Sequence, residues 1–163
     1  MSRAFVREST GEFDPLPDLP ISPHPNYVTP RGQAALKDRL LSRQADLQLL
    51  RARTERLDKQ PEAAAMRDIR YLEARLRSAN VIDPAMQDTR TVGFGLIVSV
   101  ADAQGKTTRY EITGEDEADA KRGWIAPQSP VARALTGAEV GDQVTWRKPS
   151  GSTVLTVLAI ERP

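Results

Sequence analysis

The chain has no cysteine and only one histidine, His24, among its 163 residues. Without cysteine there are no disulfides, no thiolate nucleophile and no Cys-ligated zinc. A single histidine within a proline-rich stretch rules out a Ser-His-Asp triad and a multi-histidine metal site, so neither nucleophilic catalysis nor an intrinsic metal or cofactor is expected. Aromatic residues make up only 5% of the chain, which leaves Leu, Val, Ile and Ala to build its cores. No apolar run approaches the ~18 residues of a membrane span, and the opening MSRAFVREST lacks the apolar centre of a signal peptide. A reducing, cytoplasmic setting without membrane contact is the expectation.

Proline, by contrast, is concentrated. Pro15, Pro17, Pro20, Pro23 and Pro25 fall within residues 1–28, where they remove backbone donors and favour extended, polyproline-like chain. This segment reads as a disordered leader; Phe13, Leu16, Leu19 and Ile21 are the side chains that would touch a partner if it docked. Charge is also uneven. The net charge of +1 divides into −2 over residues 1–30, +5 over residues 31–79 and −2 over residues 80–163. A basic middle could attract phosphate or an acidic protein surface, although a solvated, Arg-rich helical face is the commoner explanation.

Thr29-Pro30 has the form of a helix start, with a capping hydroxyl followed by proline in the first turn. Leu36, Leu40, Arg43, Leu47, Leu50, Thr54 and Leu57 follow at alternating spacings of four and three, and after Asp58-Lys59-Gln60-Pro61 a second seam runs through Ala65, Ile69, Leu72, Leu76 and Ala79. Two seams joined by a short turn predict an antiparallel coiled-coil hairpin over residues 29–80. A pair of helices packed on a second domain is the alternative. Residues 81–90, polar and containing Pro84, read as a linker.

From Thr91 the pattern becomes that of strands: 92–100, then 107–112 after an Asp102–Gly105 turn, then 142–147 and 153–160. Ser129-Pro130 starts a short helix with Val131, Ala134 and Leu135 on its apolar side. The expected fold class is α+β: the hairpin, then a small antiparallel β domain over 91–163 carrying one short helix.

Three clusters bear on chemistry. Gly93-Phe94-Gly95 lacks the later glycine of a dinucleotide fingerprint and leads into a strand, so it reads as a tight packing position. Glu115, Asp116, Glu117 and Asp119 lack the spacing of a calcium loop and read as a solvated acidic loop partly neutralised by Lys121 and Arg122. Glu55, Asp58 and Glu62 crowd the hairpin turn. Glu62 suits the positive end of a helix, and the three acids are also placed for display to a metal held by a partner.

Taken in order, several of these pieces resemble the GreA/GreB family of transcript cleavage factors. They are Tyr27-Val28-Thr29-Pro30-Arg31-Gly32, Leu72-Glu73-Ala74-Arg75-Leu76 with Val81-Ile82-Asp83, GEDEAD at 114–119, SPVARAL at 129–135 and Val140-Gly141-Asp142. The resemblance implies an FKBP-like C-terminal domain and a coiled coil that enters the secondary channel of RNA polymerase. It also implies polymerase contact at Gln128, Ser129, Pro130 and Arg133 on the channel rim, possible indirect contact with nascent RNA, and a monomer. The chain departs from the family in two ways. Gln128 replaces the acidic residue or Asn expected before Ser-Pro. The tip motif close to Gly-Asp-Leu-x-Glu-Asn, whose acids help hold the polymerase Mg²⁺, is absent, and the hairpin is about fifteen residues shorter, roughly 10 Å of reach. The expectation is a polymerase-binding regulator, not itself an enzyme, with weak or no cleavage stimulation. The alternatives are a cleavage-stimulating factor with a divergent tip, an FKBP-like prolyl isomerase and a coiled-coil adaptor.

Overall fold

The computed structural model describes residues 15–54 and 58–163. Leu57 of the first seam, Phe13 of the leader and the tip residue Glu55 lie outside them. Two long helices come first: α1 (Pro30–Arg51) and α2 (Gln60–Arg77). Thr29 is extended and its hydroxyl accepts from the Gly32 amide at 2.9 Å, so α1 begins where Ser/Thr-Pro chemistry directs. Antiparallel packing of the helices follows from their contacts. Arg43 pairs with Asp68 at 3.0 Å, Arg51 reaches Met66, and the chain just before α1 is bonded to Arg75 near the end of α2. Leu36, Ala65 and Leu72 are buried along the seam, with Leu40 and Leu76 packed against them.

The strands flanking the pair, β1 (Tyr27–Val28) and β2 (Asn80–Val81), form a parallel two-residue ribbon that ties off its base. The region expected as linker therefore begins in β-structure. It continues through Pro84–Met86, a single 3₁₀ turn capped by Asp83.

The C-terminal sheet has the order β5-β4-β3-β7-β6, built from β3 (Ile97–Ala101), β4 (Thr107–Ile112), β5 (Trp124–Ile125), β6 (Gln143–Lys148) and β7 (Gly151–Glu161). Neighbours pair antiparallel except β4 and β5, which are parallel, so the sheet is mostly antiparallel, as expected, with one parallel pair at its edge. The cause is the long excursion from Thr113 to Gly123, which returns the chain to the same end of the sheet before β5 starts. The first expected strand is also shorter, beginning at Ile97. Residues 93–95 form a turn in which Gly95 has φ +82°, and a Cβ there would lie 3.0 Å from the Pro84 ring. Glycine is required by both conformation and space.

The helix α3 (Pro130–Leu135) lies on this sheet. It buries Val131, Ala132 and Leu135 with Val98, Val100, Ile112, Leu155 and Val157. The inward alanine is thus Ala132 and not Ala134, since one turn from Val131 to Leu135 passes 132 on the sheet side.

Leu72 is 2% exposed and Leu49 is 71% exposed. Leu72→Ala should cost about 2–5 kcal/mol in urea unfolding, whereas Leu49→Ala should change stability by less than about 0.5 kcal/mol. Equal effects would mean that the helices do not pack through this seam.

Candidate functional site

Three regions carry the candidate residues: the junction between helices and sheet, the start of α3, and the hairpin tip. At the junction stands Arg75, 1% exposed. A buried guanidinium needs a partner for its charge and for each of its donors. Its Nε donates to Asp116 Oδ2 at 2.6 Å, and its Nη2 donates to Asn26 Oδ1 at 2.7 Å and to Glu115 Oε2 at 3.2 Å. One turn earlier on α2, the Tyr71 hydroxyl donates to Asp116 Oδ1 at 2.6 Å. Asn26 also donates from Nδ2 to the Arg75 carbonyl at 2.8 Å and to Ser78.

Glu117 serves α1 in the same way. It accepts from the Thr29 hydroxyl at 2.8 Å and from Arg31 Nε at 2.6 Å, while Arg31 Nη2 reaches Glu111 at 2.8 Å. The guanidinium of Arg31 then covers the Trp124 ring at 3.9 Å from its centroid, and Arg122 approaches the same ring at 4.8 Å. Close approach is possible because residue 114 is glycine; a Cβ would stand 2.7 Å from the Tyr27 carbonyl oxygen. No buried side-chain polar atom among the described residues is left unsatisfied.

GEDEAD is therefore not the solvated loop that its composition suggested. Three of its acids clamp the base of the helical pair to the sheet; only Asp119 turns outward, to Lys121 and Arg122. The motif and its partners Tyr71 and Arg75 were each visible in sequence. The signal that joins them is a Tyr and an Arg four apart on one helical face beside the Leu72–Leu76 seam.

At the start of α3, Ser129 caps the Ala132 amide at 3.4 Å, with Gln128 half-buried and Pro130 and Arg133 exposed. These four residues form one contiguous corner. At the tip, Asp58 Oδ1 accepts from the Gln60 amide at 2.9 Å, which directs that carboxylate into its own chain. Glu62 stands half-buried in the first turn of α2. No group of His, Cys, Asp or Glu among the described residues could hold a metal ion, and none of their helices is long and apolar enough to cross a membrane.

With this architecture in place, comparisons give the class of protein. Residues 87–162 match the family model described as the C-terminal domain of transcription elongation factor GreA/GreB. The chain is 42% identical over 96 residues to transcription elongation factor GreB of Xanthomonas axonopodis pv. citri, and 43% identical over 94 residues to transcription elongation factor GreA of Alkalilimnicola ehrlichii. Those matches cover 58% and 56% of this chain and 57% and 60% of the relatives, so the chain spans less than two thirds of their length. The C-terminal part of the chain, residues 87–162, belongs to the GreA/GreB family. Among solved structures, the GreA factor homolog 1 protein of Thermus thermophilus aligns over 85% of this chain and 99% of its own, at 24% identity and a TM-score of 0.40.

Removing one member of a buried ion pair strands the other, so Arg75→Ala should destabilise by about 3–5 kcal/mol, and adding Glu115→Gln and Asp116→Asn to that variant should recover part of the loss. Chemical denaturation of the variants checks this; a loss under 1 kcal/mol would contradict the burial of the pair. The hub also predicts a pH response. Burial, then the hydrogen bond to Asp116 and its negative charge, push the Tyr71 phenol up from 10.0 to about 12. A phenol raised in the folded chain contributes its full stability below the unfolded value and loses it as pH rises through the folded one. The stability gap between the intact chain and Tyr71→Phe should therefore be constant below pH 10 and shrink between pH 10 and about 12.

Proposed function

We propose that this protein is a cytoplasmic, monomeric regulator that binds RNA polymerase, sets the corner Gln128, Ser129, Pro130 and Arg133 against the secondary-channel rim, and places a short coiled coil at the channel with weak or no stimulation of RNA cleavage. Family membership supports the partner. The five-stranded sheet packed on one short helix agrees with an FKBP-like reading of the C-terminal domain, and the heptad seam of α1 and α2 with a coiled coil. A position near nascent RNA would follow from channel occupancy.

The observation that carries the non-cleaving half of the reading is the tip. A carboxylate must come within about 2.0–2.1 Å of Mg²⁺ to act as its ligand. Here the arm α1 has 22 residues, roughly 33 Å at ~1.5 Å per residue, and one oxygen of the Asp58 carboxylate already accepts from the Gln60 amide. Neither length nor carboxylate geometry favours delivery to a distant metal. The aromatic residues argue in the same direction against an isomerase: Arg31 stands over the Trp124 ring and Lys148 over Trp146, and the cleft that Trp124 lines is small, about 140 Å³, and shared with the charged Arg109, Glu111 and Arg122.

A backtracked elongation complex tests the proposal. The protein alone should release few short 3′ RNA fragments, and in excess it should slow cleavage driven by an authentic family factor. Replacing Ser129 and Pro130 together should weaken that competition. Strong cleavage that disappears in Asp58→Ala or Glu62→Ala would establish the cleavage-factor alternative instead.

A further inference from the structure

The proline-rich segment ahead of β1 was expected to be free chain, yet residues 15–26 run along α2 from the tip towards the base. Pro15 shares a cleft of about 180 Å³ with Lys59, Glu62, Ala63, Met66 and Arg70. Arg70 Nε donates to Asp18 at 2.6 Å and its Nη2 to the Leu16 carbonyl at 3.1 Å. Leu19 lies beside Tyr71 and Leu72 in the groove between the helices, which Arg39 and Arg43 of α1 line from the other side. Farther on, the Ser22 hydroxyl donates to Glu115 at 2.8 Å, and buried Asn26 fixes the end through Arg75 and Ser78.

The two ends are held very differently. Asn26 is 7% exposed and hydrogen-bonded to the clamp. The Asp18–Arg70 pair is 73% and 38% exposed, and exposed pairs are weak and screened by salt. Pro15, Pro17 and Pro20 have no N–H to give, and Leu16 and Leu19 are only half-buried. Over 15–21 the segment is a strap hinged at Asn26, held by one arginine and two leucines, and releasable without stranding buried polar groups.

From this we infer that the groove along α2 is a docking surface for an extended segment that carries leucine, proline and an acid placed to meet Arg70, and that the strap is a built-in competitor that fills it in the free protein. The strap itself defines that occupant. The groove lining is mixed in charge, Arg39, Arg43, Lys59 and Arg70 against Asp46, Glu62 and Asp68, and Arg43 is already paired with both aspartates, so recognition rests on Arg70, which the strap meets with an acid and with proline-spaced leucines, the chemistry an incoming segment would have to copy. The surface reaches the tip at Lys59 and Glu62 and is separate from the Gln128–Arg133 corner.

A fluorescent peptide with the sequence of residues 15–22 tests the inference in the full chain, with no polymerase present. Against Asp18→Lys combined with Leu19→Asp, which undocks the strap, the peptide should bind at least about tenfold more tightly than to the intact chain, because a competitor lowers affinity by the fraction of open sites. Adding Arg70→Ala should abolish that gain. Thermal melting confirms that the variants fold, and a nitroxide at Lys59→Cys should broaden the amide signals of Leu16 and Leu19 in the intact chain but not in the undocked variant. Equal affinity for intact and undocked chains, no binding to either, or binding indifferent to Arg70→Ala would each overturn it. A failed cleavage assay would affect only the polymerase reading, since the peptide experiment contains no polymerase.

Discussion

A guanidinium taken out of water must be neutralised and fully hydrogen-bonded, and the placement of Arg75 follows from that requirement. Its carboxylate partners come from one loop of the sheet domain and its amide partner from the chain entering β1, so satisfying one side chain brings three segments together. Arg31 repeats the device on the neighbouring helix with Glu111 and Glu117. Because both helices are held at their base by the same acidic loop, the direction of the whole helical pair depends on a few charge-assisted hydrogen bonds. Apolar burial builds each part: Leu36 and Leu72 in one, Val98 and Val157 in the other. Ion pairs join them, beside a ring contact of Tyr27 with Phe94 at 5.8 Å.

That division bears on the proposed function. A hairpin proposed to enter a narrow opening would need a fixed angle relative to the proposed anchoring surface, and hydrogen-bonded charge pairs, which are directional, are suited to fixing it. The corner at Ser129, proposed to anchor the protein, and the tip at Asp58 belong to different parts, and the clamp connects them.

What could be read from sequence followed the range of each signal. Local chemistry was legible: Thr29-Pro30 and Ser129-Pro130 begin helices, Leu72 falls on the buried seam, and Asp102–Gly105 closes a hairpin. The fate of the acidic loop was not, because its partners lie some forty residues away in sequence for Arg75 and more than eighty for Arg31, and composition alone cannot tell a solvated acid from a paired one. The parallel β4–β5 pairing depended on where that same loop returned the chain. The strap was missed for a related reason: proline signals extended chain, and whether extended chain docks is decided by the surface it meets, here Arg70.

The central claim is that the acidic loop sets the orientation of the helical pair. Since the chain has no cysteine, nitroxides can be placed at Arg53→Cys near the tip and Arg147→Cys on β6, and their separation measured by double electron–electron resonance. The intact chain should give one narrow distance distribution. Replacing Glu115, Asp116 and Glu117 by their amides should broaden it widely while circular dichroism still reports folded helices and sheet. A distribution that stays equally narrow in the amide variant would contradict the account.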